Sequence, residues 1–374
     1  MHIGCAFESG NIHVLDASDP GNVQLQIKPD AGGDHFQWFH FRVDGASGVP
    51  LVLRVTNAAD ASYPKGWEDY RACASHDGST WFRVDTAWDG KELVLRHAPE
   101  QDLVYFAYFA PYPLERHGSL IAETASMDRA SLRRLGSTVD GRDLDLLQIG
   151  PEDDGRARIW VIGRQHPGET MAEWLIEGLL VHLLDPDEPV SRSLLRRCTF
   201  YVVPNMNPDG SARGHLRNNA AGANLNRCWT SPDPDVSPEV FHVRNAMEAT
   251  GVDFFLDVHG DEALPYNFVS GAEGTTGWNE RSAARQARYL EVLSLVNPDF
   301  QTRFGYPVAA PGKANLRMAT NWVAERFGCL SMTLEQPFKD TADDPQPDGW
   351  SPERAQRLGR DQLVALHATL PLLV

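Results

Sequence analysis

The pattern of apolar residues changes character about a third of the way along the chain, and this change most constrains the fold. Up to about residue 114 the chain holds short segments rich in β-branched and aromatic residues, separated by turn sequences such as Asp44-Gly45 and Asp89-Gly90. Short strands without intervening helices are typical of an antiparallel sandwich. The sequence therefore predicts an N-terminal, all-β antiparallel sandwich domain over residues 1–115. Its clearest strands lie at residues 35–43, 50–56, 80–85, 93–97 and 103–110.

Beyond about residue 130, apolar strands alternate with segments of helical spacing. This alternation predicts an α/β domain with a mixed central sheet flanked by helices, over residues 116–374, and residues 111–119 are expected to be a linker. Strands are predicted at residues 157–163, 199–203, 254–258 and 330–334. Helices are predicted after residue 170 and at residues 238–249, 280–295, 317–326 and 352–370. In such sheets, sites lie outside the carboxyl ends of the strands.

Charge and cysteine content narrow the classes of function. The formal net charge of −17 would repel a polyanion, so nucleic-acid binding is not expected. No apolar stretch is long enough to span a membrane, and the first residues lack the pattern of a secretory signal. The 5 cysteines are scattered and show no paired short spacing, which favours reduced thiols in a cytoplasmic protein. The sequence does not indicate an oligomeric state.

Three candidate metal ligands follow predicted strands. His166 and Glu169 come directly after the strand at 157–163, and His259 comes directly after the strand at 254–258. Two histidines and one carboxylate, with a fourth position open, are the ligand set of a catalytic zinc site. The His-x-x-Glu pattern alone would fit surface or core histidines equally well, so the other motifs of the chain decide its interpretation.

Several further motifs occur in a fixed order along the chain. They are Asn-Met-Asn-Pro-Asp-Gly at 205–210, Arg217, Gly-Ala-Asn-Leu-Asn-Arg at 222–227, Asp-Val-His-Gly at 257–260 and Thr-Leu-Glu at 333–335. Together with the His-Pro-Gly-Glu turn, this set resembles the zinc metallocarboxypeptidases, and most of all the cytosolic carboxypeptidase subfamily. In that subfamily a β-sandwich precedes a catalytic domain with a mixed sheet. The aromatic segments at 37–43 and 106–112 also resemble the sandwich.

The resemblance implies a metal site and two catalytic residues. One zinc ion per chain would be held by His166, Glu169 and His259. Glu335 matches the general base of the family, and a carboxylate near the attacking water can take its proton and deliver it to the leaving amine. Arg217 matches the arginine that contacts the substrate and polarises the scissile carbonyl, where a fixed guanidinium stabilises developing negative charge.

The resemblance also implies a site for the terminal carboxylate of the substrate. Asn226 and Arg227 match the pair that grips it, and a planar guanidinium fork beside an amide donor suits a free carboxylate. Asn224 stands where the family commonly has an aspartate that orients the first zinc histidine. Asp257 could orient a ligand or merely satisfy backbone donors.

The match is weakest after residue 260. Asp261 stands where the subfamily commonly has another histidine. Residues 306–326 correspond to the region of the mobile tyrosine and the specificity pocket of the family, and Tyr306 is a candidate for that tyrosine. Lys313 or Arg317 could form a basic pocket that favours a C-terminal acidic residue, or both could be solvated surface charges.

The leading interpretation is a zinc-dependent carboxypeptidase that hydrolyses the C-terminal peptide bond of peptides or proteins, with acidic residues as the candidate preference. One alternative keeps the metal site but changes the substrate: a zinc amidohydrolase acting on N-acyl amino acids. A second alternative is a non-catalytic module that binds protein tails. Cleavage of N-acyl amino acids would favour the first alternative, and purification without metal would favour the second.

Overall fold

The computed structural model describes residues 1–153 and 155–373, so residues 154 and 374 of the predicted second domain lie outside it. The first part of the chain forms two packed sheets of short strands. The strands are β1 (His2–Gly4), β2 (His13–Asp16), β3 (Val23–Gln26), β4 (His40–Asp44), β5 (Leu51–Val55), β6 (Cys73–Ser75), β7 (Phe82–Arg83), β8 (Asp85–Trp88), β9 (Leu93–His97) and β10 (Leu103–Ala107).

The two sheets have the strand orders β1-β4-β10-β6-β7 and β2-β3-β5-β9-β8. Alternate residues of β5 are buried between the sheets, as the side-chain period of a strand requires. The predicted sandwich is confirmed, and within it β3 and β5 pair in parallel. The strand predicted at residues 80–85 is instead divided. Phe82–Arg83 pairs with β6 in one sheet and Asp85–Trp88 pairs with β9 in the other, because the chain crosses between the sheets at Val84.

The second part of the chain is built on a mixed sheet of order β11-β12-β14-β13-β15-β17-β16. Its strands are β11 (Ala130–Ser137), β12 (Asp143–Ile149), β13 (Ala157–Gly163), β14 (Cys198–Val203), β15 (Phe254–Val258), β16 (Phe268–Ser270) and β17 (Leu330–Glu335). The central strands β14, β13, β15 and β17 run parallel, and the outer strands pair antiparallel. The predicted mixed sheet is therefore confirmed.

Helices cover both faces of this sheet. They are α1 (Leu114–Ala125), α2 (Met171–Leu183), α3 (Pro189–Arg197), α4 (Pro208–Arg213), α5 (Pro238–Thr250), α6 (Glu280–Val296), α7 (Ala319–Phe327) and α8 (Pro352–Leu373). The linker expected at residues 111–119 is wrong in part, because α1 begins at Leu114 and buries Leu120 and Ile121. The division of the chain at residue 115 stays a prediction.

Alternate residues of β13 face opposite layers. Ile159 and Val161 belong to an apolar cluster that includes residues of α2, α6 and α8, whereas Trp160 and Ile162 belong to a second cluster with α5 and α7. The first cluster continues into the sandwich, where Tyr108 stacks on Phe338 with ring centroids 4.4 Å apart. The two parts of the chain therefore share one core.

Among the residues that the structure describes, no helix combines the length and the apolar character needed to cross a membrane. All 5 cysteines of the chain are unpaired.

Candidate active site

Three potential metal ligands converge at the carboxyl edge of the central sheet. His166 and Glu169 lie in the turn between β13 and α2, and His259 directly follows β15, which pairs with β13. All three side chains are buried, and their ligand atoms lie within 4.8 Å of one another. The predicted ligand residues are thus brought together, as the rule for parallel strands led us to expect.

The turn that carries His166 is held in an unusual conformation. Arg164 has a positive φ of 57°, which is uncommon for a residue with a side chain. Its buried guanidinium donates to the carbonyl oxygens of Pro167 and Tyr112, each at 2.9 Å, and pairs with the buried carboxylate of Glu173. These contacts fix the turn, and the one to Tyr112 joins it to a segment 52 positions away in the sequence.

The donor atoms fit a tetrahedral metal ion. The Nδ1 atoms of His166 and His259 lie 3.2 Å apart, and each lies 2.7–2.8 Å from one oxygen of Glu169. Two nitrogens that bind one zinc ion at about 2.0–2.1 Å with tetrahedral angles are separated by about 3.4 Å. Burial acts to raise the pKa of Glu169, but the two imidazoles outweigh it and hold that pKa below its usual value. Two imidazoles and an ionised carboxylate are a donor set suited to zinc.

The opposite nitrogens of both imidazoles contact side-chain oxygens. His166 Nε2 lies 3.1 Å from Asn224 Oδ1, and His259 Nε2 lies 2.9 Å from Asp257 Oδ2. Gln165 donates to the same oxygen of Asp257 at 2.7 Å. An acceptor at Nε2 fixes the orientation of the imidazole ring and leaves Nδ1 facing the other candidate metal ligands. Asp257 therefore contacts a candidate ligand, and the amide oxygen of Asn224 occupies the equivalent position beside His166.

Burial and neighbouring charges act differently on the two histidines. Burial and the charge of Arg217 lower the pKa of His166 to about 3. Burial also disfavours the charged form of His259, but the carboxylates of Asp257 and Glu169 outweigh it and raise its pKa well above the usual value. The site therefore concentrates negative charge around His259, which favours a bound cation.

Glu335 is the last residue of β17, the strand beside β15. Its side chain is buried, and its Oε2 atom has no hydrogen-bond partner among the residues that the structure describes. Burial, with the nearby carboxylates of Glu169 and Asp261, raises the pKa of Glu335 to about 8, although His259 acts in the opposite direction. A buried carboxyl group with a free oxygen beside the metal ligands is suited to proton transfer near neutral pH.

Arg217, Arg227 and Arg317 form a positive cluster, of which Arg217 interacts with the charge of Glu335. Arg317 donates from Nε to the carbonyl oxygen of Arg227 at 3.1 Å, and Arg227 donates to the carbonyl oxygen of Asn226 at 2.6 Å. Burial and the charges of Arg217 and Arg317 lower the pKa of Arg227. Asn226 is buried, and its Oδ1 accepts from the backbone N–H of Ala319 at 2.9 Å. The positive charge of this arginine cluster contrasts with the net charge of −17 of the whole chain.

In the segment after residue 305, some of the candidate site residues contact other residues of the site and others do not. The hydroxyl of Tyr306 donates to Asp261 Oδ2 at 2.5 Å, and its ring packs edge-on against Phe268. Lys313 is exposed, and its ammonium group pairs with no residue that the structure describes. Both candidate pocket residues are therefore exposed, but Arg317 contacts Arg227 whereas Lys313 does not.

Sequence reasoning missed two residues near Arg217, one from the sandwich and one from the second part of the chain. The ring of Tyr63 lies 5.5 Å from the guanidinium of Arg217. Glu262 is buried close enough to influence the pKa of both residues, and its Oε1 lacks a hydrogen-bond partner within the described ranges. No local pattern around Tyr63 distinguishes it from the other aromatic residues of the sandwich.

The chain consists of a sandwich followed by a mixed α/β sheet, and two histidines and a carboxylate meet at the strand ends of that sheet. This arrangement is typical of a metal-dependent hydrolase. Comparison with known families assigns the chain more narrowly. Residues 3–109 match the model of the cytosolic carboxypeptidase N-terminal domain, and residues 119–356 match the zinc carboxypeptidase model. The chain belongs to the zinc carboxypeptidase family, as the order of its motifs predicted.

Solved structures agree with this assignment over the whole chain. The metallo-carboxypeptidase from Pseudomonas aeruginosa, in complex with (2-guanidinoethylmercapto)succinic acid, is 45% identical with a TM-score of 0.97, covering 100% of both chains. The metallo-carboxypeptidase from Burkholderia cenocepacia is 44% identical with a TM-score of 0.97, covering 99% of both chains.

Among curated proteins, human cytosolic carboxypeptidase 6 is 26% identical over 79% of this chain and 63% of its own length. This chain therefore spans less than two thirds of that relative. The protein is a metallocarboxypeptidase, an enzyme class that acts on peptides or proteins.

Proposed function

We propose that this enzyme is a zinc-dependent carboxypeptidase that removes acidic residues from the C-terminus of peptides or proteins. The observation that carries the proposal is the meeting of the buried donor atoms of His166, Glu169 and His259 beside the free carboxyl oxygen of Glu335. These three ligands would hold one zinc ion per chain. When bound, zinc lowers the pKa of water to about 7 and polarises a carbonyl group.

The remaining side chains would bind and orient the substrate. Arg227, with the amide of Asn226, would receive the terminal carboxylate of the peptide. The guanidinium of Arg217 makes no hydrogen bond to any residue that the structure describes, so its donors are available to the oxygen of the scissile carbonyl. Negative charge develops on this oxygen during attack by water, which gives Arg217 an interaction that strengthens in the transition state.

Glu335 would move the proton. It would accept a proton from the attacking water and donate it to the nitrogen of the departing residue. A pKa near 8 suits both steps, because the group exchanges a proton readily close to neutral pH.

The preference for acidic residues is supported by charge. The terminal residue of such a substrate carries two carboxylates. Arg217 lies close enough to His166 and Glu169 to interact with their charges, and Arg227 and the exposed Arg317 lie near Arg217. The chain as a whole carries a net charge of −17, so the cluster is a local exception that would attract an acidic terminus. We also place the enzyme in the cytoplasm, in keeping with its unpaired cysteines.

A panel of peptides that differ in the last residue tests the proposal. Peptides ending in glutamate, aspartate, alanine or arginine are incubated with the enzyme, and the products are identified by mass spectrometry with and without a chelator. Arginine is included because the Pseudomonas neighbour was solved with a compound that carries a guanidino group. We expect single residues to be released from the C-terminus, fastest for glutamate and aspartate, and chelator to abolish release.

Two controls separate the parts of the proposal. A C-terminally amidated glutamate peptide lacks the terminal carboxylate and should resist cleavage, whereas cleavage at the same rate would contradict the role of Arg227 and Asn226. Faster release of arginine than of glutamate would contradict the acidic preference while leaving the carboxypeptidase activity intact.

A further inference from the structure

The loop that carries Arg217 is held by the sandwich rather than by the catalytic sheet. Asp30, in the segment between β3 and β4, is buried. Its carboxylate accepts hydrogen bonds from three consecutive backbone N–H groups, those of Leu216 at 2.6 Å, Arg217 at 2.8 Å and Asn218 at 2.8 Å. Hydrogen bonds to an ionised acceptor are shorter and stronger than neutral ones, so this contact fixes the backbone at Arg217.

Other sandwich residues secure the start of the same loop. The backbone N–H of Ala31 donates to His215 Nε2 at 3.1 Å, and the side chain of Asn11 donates to the carbonyl oxygen of Gly214 at 2.9 Å. Gly214 has a φ of 69°, and a Cβ atom at this position would lie 2.6 Å from the carbonyl oxygen of Ser9. The loop therefore packs closely against the sandwich along residues 214–218.

Tyr63 supports the side chain of Arg217 from another direction. Its ring lies 5.5 Å from the guanidinium carbon, within the range of a cation–π contact. The backbone of Tyr63 is held by the buried amide of Gln37, which accepts from the N–H at 2.8 Å and donates to the carbonyl oxygen at 3.1 Å. Gln37 also donates to the hydroxyl of Tyr108 at 3.0 Å, which ties this support to the core of the sandwich.

These contacts matter because the guanidinium of Arg217 lacks hydrogen-bond partners of its own among the described residues. Its position depends on the backbone that Asp30 holds and on the ring face that Tyr63 presents. We propose that Asp30 and Tyr63 are positioning residues for Arg217, so that the sandwich completes the active site of the catalytic domain. This inference rests on the role proposed for Arg217 at the scissile carbonyl.

The test measures kcat and KM of the full-length, metal-loaded enzyme for Asp30→Asn and Tyr63→Leu, alone and combined with Arg217→Ala. A misplaced transition-state contact of about 1 Å can cost roughly 100-fold, and we expect a loss approaching this size in each single variant. The loss should lie mainly in kcat, because the contact strengthens in the transition state. It should disappear in the Arg217→Ala background, because the two changes then remove the same interaction.

Two matched variants serve as controls. Tyr63→Phe keeps the ring that faces Arg217, so it should recover most of the kcat that is lost in Tyr63→Leu. Asp77 also accepts from two backbone N–H groups, those of Ser79 at 2.8 Å and Thr80 at 2.7 Å, but within a turn of the sandwich itself. Asp77→Asn should therefore leave kcat unchanged, with thermal unfolding recorded for every variant.

The outcomes separate this inference from the proposed function. A folded Asp30→Asn or Tyr63→Leu enzyme with unchanged kcat, or with a loss that persists in the Arg217→Ala background, would overturn the inference alone. Full activity of Arg217→Ala itself would overturn both the role of Arg217 and the inference. If Asp30→Asn does not fold, the Tyr63→Leu series decides, because Tyr63 is only half-buried.

Discussion

Replacing Glu335 by glutamine tests the catalytic assignment at a position where little else should change. Glu335 Oε2 lacks a hydrogen-bond partner among the described residues, so the substitution breaks no bond at that atom. The variant keeps the shape of the side chain and loses its ability to take a proton. Because burial already raises the pKa of Glu335 to about 8, a neutral amide should be tolerated without loss of stability.

We expect Glu335→Gln to lower kcat strongly and to change the metal content and the melting temperature little. General base catalysis contributes about 10²–10⁴-fold, so the barrier should rise by about 3–5 kcal/mol. We would measure kcat on a glutamate-terminated peptide, the metal content by mass spectrometry and the melting temperature.

Asp361→Asn, a change to a buried carboxylate of α8 that accepts from Asn297 at 2.8 Å, provides a control remote from the metal ligands. Its activity should match that of the unmodified enzyme. A Glu335→Gln enzyme that binds metal normally and keeps its kcat would refute the general-base assignment.

Three other predictions follow from the structure. Arg227→Lys removes the planar fork but keeps the charge, so kcat/KM on glutamate-terminated peptides should fall roughly 10- to 100-fold, and an unchanged value would contradict the carboxylate role. Burial disfavours charged His117, but Asp145 and Glu173 outweigh it and raise its pKa to about 9. The stability it contributes should be complete below about pH 6.5 and decline by roughly 3 kcal/mol as pH rises through 9, so denaturant unfolding of His117→Gln should lack this pH dependence. A fragment starting at residue 119 would expose the core shared with the sandwich and should not fold; a stable, active fragment would contradict the shared core.

Much of the metal site could be predicted because it depends on local sequence and a general rule of sheet topology. The strands before His166 and His259 are apolar and have clear ends, and parallel neighbours bring such ends to one edge. The contact between Asn224 and His166 Nε2 was anticipated from the resemblance to the zinc metallocarboxypeptidases, which commonly have an aspartate at this position. The roles assigned to Glu335, Arg217, Asn226 and Arg227 stay predictions until they are tested by substitution.

What the sequence did not show depends on contacts between distant segments. Asp30 and Arg217 are separated by 187 positions, and an aspartate in a loop carries no local signal of its partner. The linker predicted at residues 111–119 overlaps the first turns of the helix at Leu114–Ala125, and prolines at 111 and 113 lie just before that helix begins. The conformation of residues 307–316 was not predicted, because they form irregular structure before α7, without the periodicity that identifies a strand or a helix.

Anomalous diffraction at the zinc edge from crystals of the zinc-loaded enzyme tests the metal site most directly. We expect one peak per chain, about 2.0–2.2 Å from the Nδ1 atoms of His166 and His259 and from a carboxylate oxygen of Glu169. A peak elsewhere, or no peak in crystals of enzyme that still releases C-terminal residues, would contradict the assignment of these three side chains to a catalytic zinc ion.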